Sequence, residues 1–241
     1  MTLIYAHRGD HRQLAENTQA AFDRSLQYAI DGIETDVQMT SDDVTVLFHD
    51  DDLSQLGNPE QRLDQQNFAT LINKQFTLDA VAKLMTLRDF IDRYRTRCEL
   101  LLEIKKHPLE NFSQQQKKVR QTLEIVGSRM EGIYISSFDT ESLLIAKKIV
   151  SECPLILNLE QEHDAQYAGK ILSKYPWLAG ICVHISTLNP AMMNCVRSQG
   201  KMIAAYTCNS AAEISLALDL GIDILISDVP EKALKLRNTF N

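Results

Sequence analysis

Glu34 and Asp36 stand two residues apart in the run GIETDVQM, whose composition is that of a strand. Side chains alternate along a strand, so both carboxylates leave the same face. Two like charges held side by side call for a cation. The polar stretch Ser41-Asp42-Asp43 reads as a tight turn, after which VTVLF returns as a second strand with His49 at its end. A turn centred on Asp42 and Asp43 places Asp36 opposite His49. A bulged turn shifts that register by one residue and still leaves an imidazole beside the carboxylates. An isolated Glu-x-Asp on a hairpin is usually just a solvated pair, so the company these two keep decides their meaning.

That company is polar and lies at strand ends. His7 and Arg8 close the apolar run LIYAH, and Glu103 and Lys105 appear at the C-terminal end of ELLLEIK, a run otherwise apolar on both faces. A lone strand-end histidine is as often satisfied by backbone as it is catalytic. The set as a whole is more telling. Three carboxylates with neither cysteine nor a His ligand pattern suit one hard divalent cation, Mg²⁺ or Ca²⁺, completed by water and substrate oxygens. Arg8 and Lys105 add positive charge for the non-bridging oxygens of a phosphoryl group. Two histidines can divide proton transfer, one as base and one as acid. Such a set fits cleavage of a phosphate ester better than hydride or acyl transfer.

These residues need a scaffold that brings scattered strand ends to one place. After the hairpin the chain alternates strand and helix to its C-terminus. Thr86 caps a helix with Leu87, Phe90, Ile91 and Tyr94 on one face, and NFSQQQKKVRQTLEIV presents Val119, Leu123 and Val126 before Gly127. Asp139 caps the next helix, another starts near Asp164, Asn189-Pro190 opens a third, and Ser210 with Glu213 forms a capping box. An earlier helix is expected to run through Phe22, Leu26, Ala29 and Ile30, capped by Asn17 or Thr18. Counting VTVLF there are about nine strand-like runs, one more than a closed (β/α)₈ barrel requires. VTVLF follows its neighbour too closely for a helical crossover, so it rises above the rim as the return arm of a hairpin. The fold expected is an α/β TIM barrel formed as one domain over residues 1–241. An open doubly wound sheet is the alternative, but no glycine-rich strand-to-helix turn of the dinucleotide type is present. Residues 53–83 lose periodicity, with Gly57-Asn58-Pro59 read as a turn; so long a segment is a lid, a binding loop, a small insertion or a surface excursion. In a barrel the C-terminal strand ends and their loops share the face that carries active sites, and His7, Arg8, Glu34, Asp36, His49, Glu103 and Lys105 all fall there.

Composition narrows the partners. A formal net charge of -7 and a pI near 5.4 argue against a sequence-independent grip on nucleic acid. Cys98, Cys153, Cys182, Cys195 and Cys208 are widely spaced, form no C-x-x-C pair and read as reduced thiols. The N-terminus lacks a signal-peptide pattern, and neither a long apolar run nor a basic amphipathic helix suggests stable membrane association. A cytoplasmic protein is expected. No heptad seam supports a coiled-coil dimer, leaving a monomer or a small homo-oligomer. His11, His107, His163 and His184 join no constellation, His11 being nearest to one, and Trp177 reads as packing.

The ordered segments HRG at 7–9, ENT at 16–18, GIETDV at 32–37, HDDDL at 49–53, MTLRDF at 85–90, LEIK at 102–105, SSF at 136–138, YTCN at 206–209 and ISDVP at 226–230 resemble the glycerophosphodiester phosphodiesterase family. The resemblance spans the chain and implies a TIM barrel that hydrolyses glycerophosphodiesters, such as glycerophosphocholine and glycerophosphoethanolamine, to sn-glycerol 3-phosphate and an alcohol. It implies His7 and His49 as the acid–base pair, Glu34, Asp36 and Glu103 as ligands of one divalent cation, Arg8 and Lys105 on the phosphate, and Phe138 and Tyr206 lining the glycerol pocket. The chain departs from the family where Tyr206 replaces the usual Trp, and where Ser54-Gln55-Leu56 follows the HD-x-x-L segment in place of a frequent Arg-Thr-Thr. Alternatives on the same barrel are a phospholipase C- or D-like enzyme and a binding protein that has lost the chemistry.

Overall fold

The computed structural model describes residues 1–239. Strand β1 (Leu3–His7) leads through a turn to helix α1 (Gln19–Ser25), and strands β2 (Gly32–Met39) and β3 (Thr45–Leu47) follow. A two-stranded ribbon of β4 (Asp52–Leu53) and β5 (Asn58–Arg62) comes next, with the short helix α2 (Phe68–Leu71). Helix α3 (Leu87–Tyr94) then opens a regular alternation: β6 (Glu99–Ile104), α4 (Phe112–Val126), β7 (Ile133–Ser137), α5 (Thr140–Ile149), β8 (Leu155–Leu159) and α6 (Ala165–Lys174). It closes with β9 (Gly180–His184), α7 (Pro190–Arg197), β10 (Met202–Tyr206), α8 (Ala211–Leu220), β11 (Ile224–Ser227) and α9 (Pro230–Thr239).

The main sheet has nine strands, and β1 pairs in parallel with both β11 and β2, which closes the ring. β3 hangs outside it, antiparallel to β2, so the ring itself is an eight-stranded parallel barrel with helices between its strands. Its strands are buried on both faces, as a parallel sheet requires. Inside, Tyr5, Leu101, Ile156, Cys182, Ala204, Ile224 and Ile226 pack together. The Tyr5 ring lies over Gly32, where a Cβ would sit 2.5 Å from it, so only glycine admits that approach. Outside, Phe22, Phe90 and Tyr94 interlock with ring centroids 4.7 to 5.5 Å apart and lock α1 to α3.

The helix caps lie where the side chains allow. Thr18, Thr86, Asp139, Asp164, Asn189 and Ser210 each accept a hydrogen bond from the first helical turn, and Asn111 with Gln114 forms a second capping box.

Three expectations need correction. Helix α1 stops at Ser25 rather than reaching Ile30. Asp31 exchanges hydrogen bonds with Ile4, its N–H donating to Ile4 O (3.0 Å) and its Oδ2 accepting from Ile4 N–H (2.8 Å), and this draws the chain back into the sheet. The hairpin takes the bulged register, one residue off the tight turn: Val37 pairs with Leu47 and Met39 with Thr45, so Phe48, not His49, lies across from Asp36 and donates its N–H to Asp36 O. The cause is the loop at 41–43, in which Asp43 takes φ +64° and Thr40 Oγ1 accepts from Val44 N–H. A left-handed residue at the end of such a loop sets the odd register. The segment 53–83 is also more ordered than its composition suggests. Gly57 turns at φ +71°, but Asn58 and Pro59 begin β5, and Leu53, Leu56, Leu63, Leu71 and Phe76 bury against Val46 and Phe48 in a core of their own.

Candidate active site

At the C-terminal end of the barrel, β1 delivers His7, β2 delivers Glu34 and Asp36, and β6 delivers Glu103, with Lys105 just beyond it. All nine residues expected at the site are brought together: eight line one cavity of about 100 Å³, and Asp36, outside that lining, contacts Arg8 and Lys105 and lies beside Glu34 and Glu103. It opens into an outer chamber of about 610 Å³ that also takes in Asp51, Glu160 and His184. A larger groove of about 780 Å³, between α1, α3 and residues 79–85, contains none of these groups.

The turn after β1 is strained on purpose. Arg8 and Asn17 take φ +54° and +56°, and the close approach of Gly9 to Ala21 leaves no room for a Cβ. Arg8 N–H donates to Glu34 O (2.9 Å), which aims the guanidinium inward. There its Nε pairs with Asp36 Oδ2 (2.9 Å) and its Nη1 reaches both oxygens of Glu16 (3.2 Å). Asn17 donates from Nδ2 to Asp36 Oδ2 (3.0 Å) and accepts from Thr35 Oγ1 (2.7 Å).

Glu34, Asp36 and Glu103 are 4, 1 and 9% exposed, and each offers an oxygen within 4.8 Å of the others. Burial raises the Glu34 carboxyl well above its ordinary range, and Asp36 beside it adds to that. Burial also raises Glu103, against the pull of Lys105, whose Nζ is 3.1 Å away. Burial would raise Asp36 too, but Arg8, then Lys105 and His49, hold it down to about 2. Glu34 Oε2 and Asp36 Oδ1 are buried without a hydrogen-bond partner. Orphaned carboxylate oxygens on two of three converging acids, with Glu103 completing the set, match the donors of a hard divalent cation.

The two imidazoles are held alike. His7 Nδ1 lies 2.6 Å from Asp228 Oδ1 and its Nε2 is 3.8 Å from Glu34 Oε2. A carboxylate partner requires Nδ1 to carry the proton, leaving Nε2 for the cavity. Burial lowers the His7 pKa, opposed by Asp228. Asp228 is fixed by Asn209, which donates from Nδ2 (2.6 Å) and accepts from the Asp228 N–H (2.9 Å). His49 Nδ1 lies 2.8 Å from Asp50 Oδ1. The carbonyls of Phe48, His49 and Asp50 all accept from the Gln38 amide, which fixes this loop where β3 has ended. Phe138 and Tyr206 meet edge to face at 5.8 Å, and Tyr206 donates its hydroxyl to Leu159 O.

The sequence reading assigned no site role to Asp228, Asp50, Glu16 or Asn158 and offered Asn17 only as a helix cap, although Asn158 donates to Glu103 Oε2 (3.0 Å) and Asp228 follows directly on β11. Position at the C-terminal end of a barrel strand was the available signal for Asp228 and Asn158. Of the unassigned histidines, His11 lies 3.7 Å from Asp228, His107 lies 3.9 Å from Asp51 and His184 lines the outer chamber, whereas His163 stacks on Tyr167 away from it.

A closed α/β barrel with acids, cations and paired imidazoles on its C-terminal rim is built for work on an anionic ester. The profile of the glycerophosphoryl diester phosphodiesterase family matches residues 7–232. The chain belongs to that family and is thereby a phosphoric diester hydrolase. Its relatives include a glycerophosphodiester phosphodiesterase of Bacillus altitudinis, 26% identical over 247 residues and covering 98% of both chains. Another, from Caldanaerobacter subterraneus, is 26% identical over 258 residues, with 98% of this chain and 97% of the relative covered. Among solved structures, an Oleispira antarctica phosphodiesterase in complex with the product sn-glycerol 3-phosphate superposes with a TM-score of 0.84 at 23% identity, covering 99% of this chain and 97% of that one.

Proposed function

We propose that the protein hydrolyses water-soluble glycerophosphodiesters to sn-glycerol 3-phosphate and an alcohol, with His7 and His49 as acid–base groups. The observation that carries this is the pair of imidazoles, each with an aspartate at Nδ1, facing one cavity whose wall holds Glu34, Glu103 and two cations, with Asp36 beside them. The glycerol 3-phosphate complex of the Oleispira protein, on the same fold, supports it. Arg8 and Lys105 hold the non-bridging phosphate oxygens, and Phe138 and Tyr206 enclose the glycerol carbons. One imidazole takes a proton from the attacking hydroxyl and the other protonates the departing alkoxide. Such steps are worth about 10²- to 10⁴-fold each. The attacker is either the glycerol hydroxyl beside the phosphorylated carbon, giving a cyclic phosphate that water then opens, or water itself. A divalent cation held by Glu34, Asp36 and Glu103, Mg²⁺ or Ca²⁺, would supply charge neutralisation and polarisation of a phosphoryl oxygen.

The test is release of glycerol 3-phosphate from glycerophosphocholine and glycerophosphoethanolamine with Mg²⁺, with Ca²⁺ and with chelator, beside His49→Ala. Metal-dependent release lost in the variant is expected. Turnover of phospholipid vesicles alone would move the substrate to the lipid class, and no turnover from folded protein would leave a binding protein.

A further inference from the structure

Glu16, His49 and Asp50 bring ligand-type atoms within 4.8 Å of one another, beside the three acids. The space between the two carboxylates is already filled by a neutral donor. Gln55 Nε2 lies 3.1 Å from Glu16 Oε1 and 2.7 Å from Asp50 Oδ2. Ionised carboxylates only accept, so the amide nitrogen and not its oxygen must face them. Gln55 belongs to no part of the barrel. It sits in the turn Ser54–Leu56 that follows β4, in the segment with its own apolar core.

We propose that Gln55 is a positioning residue for His49, a latch through which the 52–85 module sets the tautomer and aim of that imidazole. The inference rests on the reading of His49 as an acid–base group. The chain of contacts is short. Leu53 and Leu56 are buried in the module core, and the Gln55 carbonyl accepts from Thr77 N–H (2.8 Å), so the backbone at Gln55 is fixed. Its amide fixes Asp50 Oδ2, and Asp50 Oδ1 fixes His49 Nδ1 (2.8 Å). Hydrogen bonding by His49 and Gln55 holds the Asp50 carboxyl below its ordinary range, so it stays an acceptor. Without the amide, Asp50 and Glu16 would face each other as like charges and Asp50 would be free to turn. Glu16 would lose less, because it still holds Arg8, and Arg8 keeps a second anchor on Asp36. The effect of Gln55 therefore falls on the imidazole and not on the phosphate-binding cation.

The experiment uses Gln55→Met, which keeps length and removes the donor, and Gln55→Lys, which restores a donor able to reach both carboxylates. Two readouts are taken: kcat and KM on glycerophosphocholine, and the ring ¹⁵N resonances of His49 in metal-free protein. In Gln55→Met, kcat should fall about 10- to 100-fold with KM nearly unchanged. The His49 ring should pass from one Nδ1-protonated form to a mixture of tautomers, and Gln55→Lys should reverse both changes. Wild-type kcat and unchanged ring resonances in Gln55→Met overturn the proposal. So does a loss that accompanies a lower melting temperature and is not rescued by lysine, because Gln55 would then only support the fold. If the wild-type protein turns over no glycerophosphodiester, the functional reading fails, while the ring resonances still decide whether the latch exists.

Discussion

The two histidines of the site are held in the same way by two very different kinds of structure. His7 ends a barrel strand hydrogen-bonded on both sides, its side chain is 15% exposed, and its aspartate follows the neighbouring strand β11. His49 lies past the end of a short outer strand, its side chain is 33% exposed, and its aspartate is its neighbour in sequence, held in turn by a side chain of the module. Backbone hydrogen bonds of the sheet fix the first, while side-chain hydrogen bonds and a small separate core fix the second. The difference teaches where precision comes from: for His7 the barrel supplies it through register, and for His49 it comes from side chains, Gln38 of β2, Asp50 and, from the module, Gln55.

The largest effects test whether the two halves act as one unit. His7→Ala and His49→Ala should each lower kcat by about 10²- to 10⁴-fold. The double variant should be little worse than the weaker single one, because groups serving one proton-transfer sequence are strongly non-additive. Steady-state kinetics on all three variants decides this, and multiplicative losses would mean that the halves work independently.

Core substitutions separate the halves next. Phe90→Ala, fully buried between α1 and α3, should cost about 3–5 kcal/mol of global stability. Leu63→Ala, equally buried but in the module, should open the module locally. Its global denaturant midpoint should move less than that of Phe90→Ala, while kcat falls because Gln55 and Asp50 lose their support. Chemical denaturation run beside activity reads both. If Leu63→Ala moves the global midpoint as far as Phe90→Ala does, the module and the barrel are one cooperative unit.

The supporting aspartates give smaller effects. Asp228→Asn should lower kcat more than Asp50→Asn, because His7 is the more buried ring and relies on Asp228 against desolvation. The pKa sign follows from the same balance. Burial already lowers the His7 pKa and Asp228 raises it, so removing that charge should move the His7 titration to still lower pH. Ring proton chemical shifts against pH would show this, and a shift to higher pH would mean that Asp228 does not carry its charge toward His7.

The same contrast explains what could be read from the sequence. The barrel was legible because parallel strands buried on both faces leave unbroken apolar runs, and because Asp139, Asn189 and Ser210 mark helix starts by local chemistry. Glu34, Asp36, Glu103 and Lys105 were legible because charge at the end of an apolar strand has one place to go. The pairing of His7 with Asp228 spans 221 positions, so only closure of the ring by β1 and β11 reveals it. The module was illegible for another reason. Its ribbon is two short strands, and its core residues are spread at no fixed period, so nothing in the composition of 53–83 foretold that Gln55 would reach Asp50.

The smallest effect concerns the register that carries the chain from β2 to His49. Asp43 holds φ +64°, and its ion pair with Lys117 is half exposed and worth little. Asp43→Gly accepts the same backbone without a Cβ but gains freedom in the unfolded chain, so the two terms offset and stability should change by less than about 1 kcal/mol. Asp43→Val differs in kind. A β-branched residue disfavours positive φ, at a cost of about 1–3 kcal/mol, and the hairpin can escape by closing a shorter loop. That escape moves His49 across from Asp36 and away from Asp50. Activity should therefore follow backbone geometry and not side-chain charge: near wild type in Asp43→Gly, and reduced in Asp43→Val by more than its change in stability explains. Equal activity in both variants would mean that Gln38, whose amide holds the carbonyls of Phe48, His49 and Asp50, sets the position of His49 whatever the turn does.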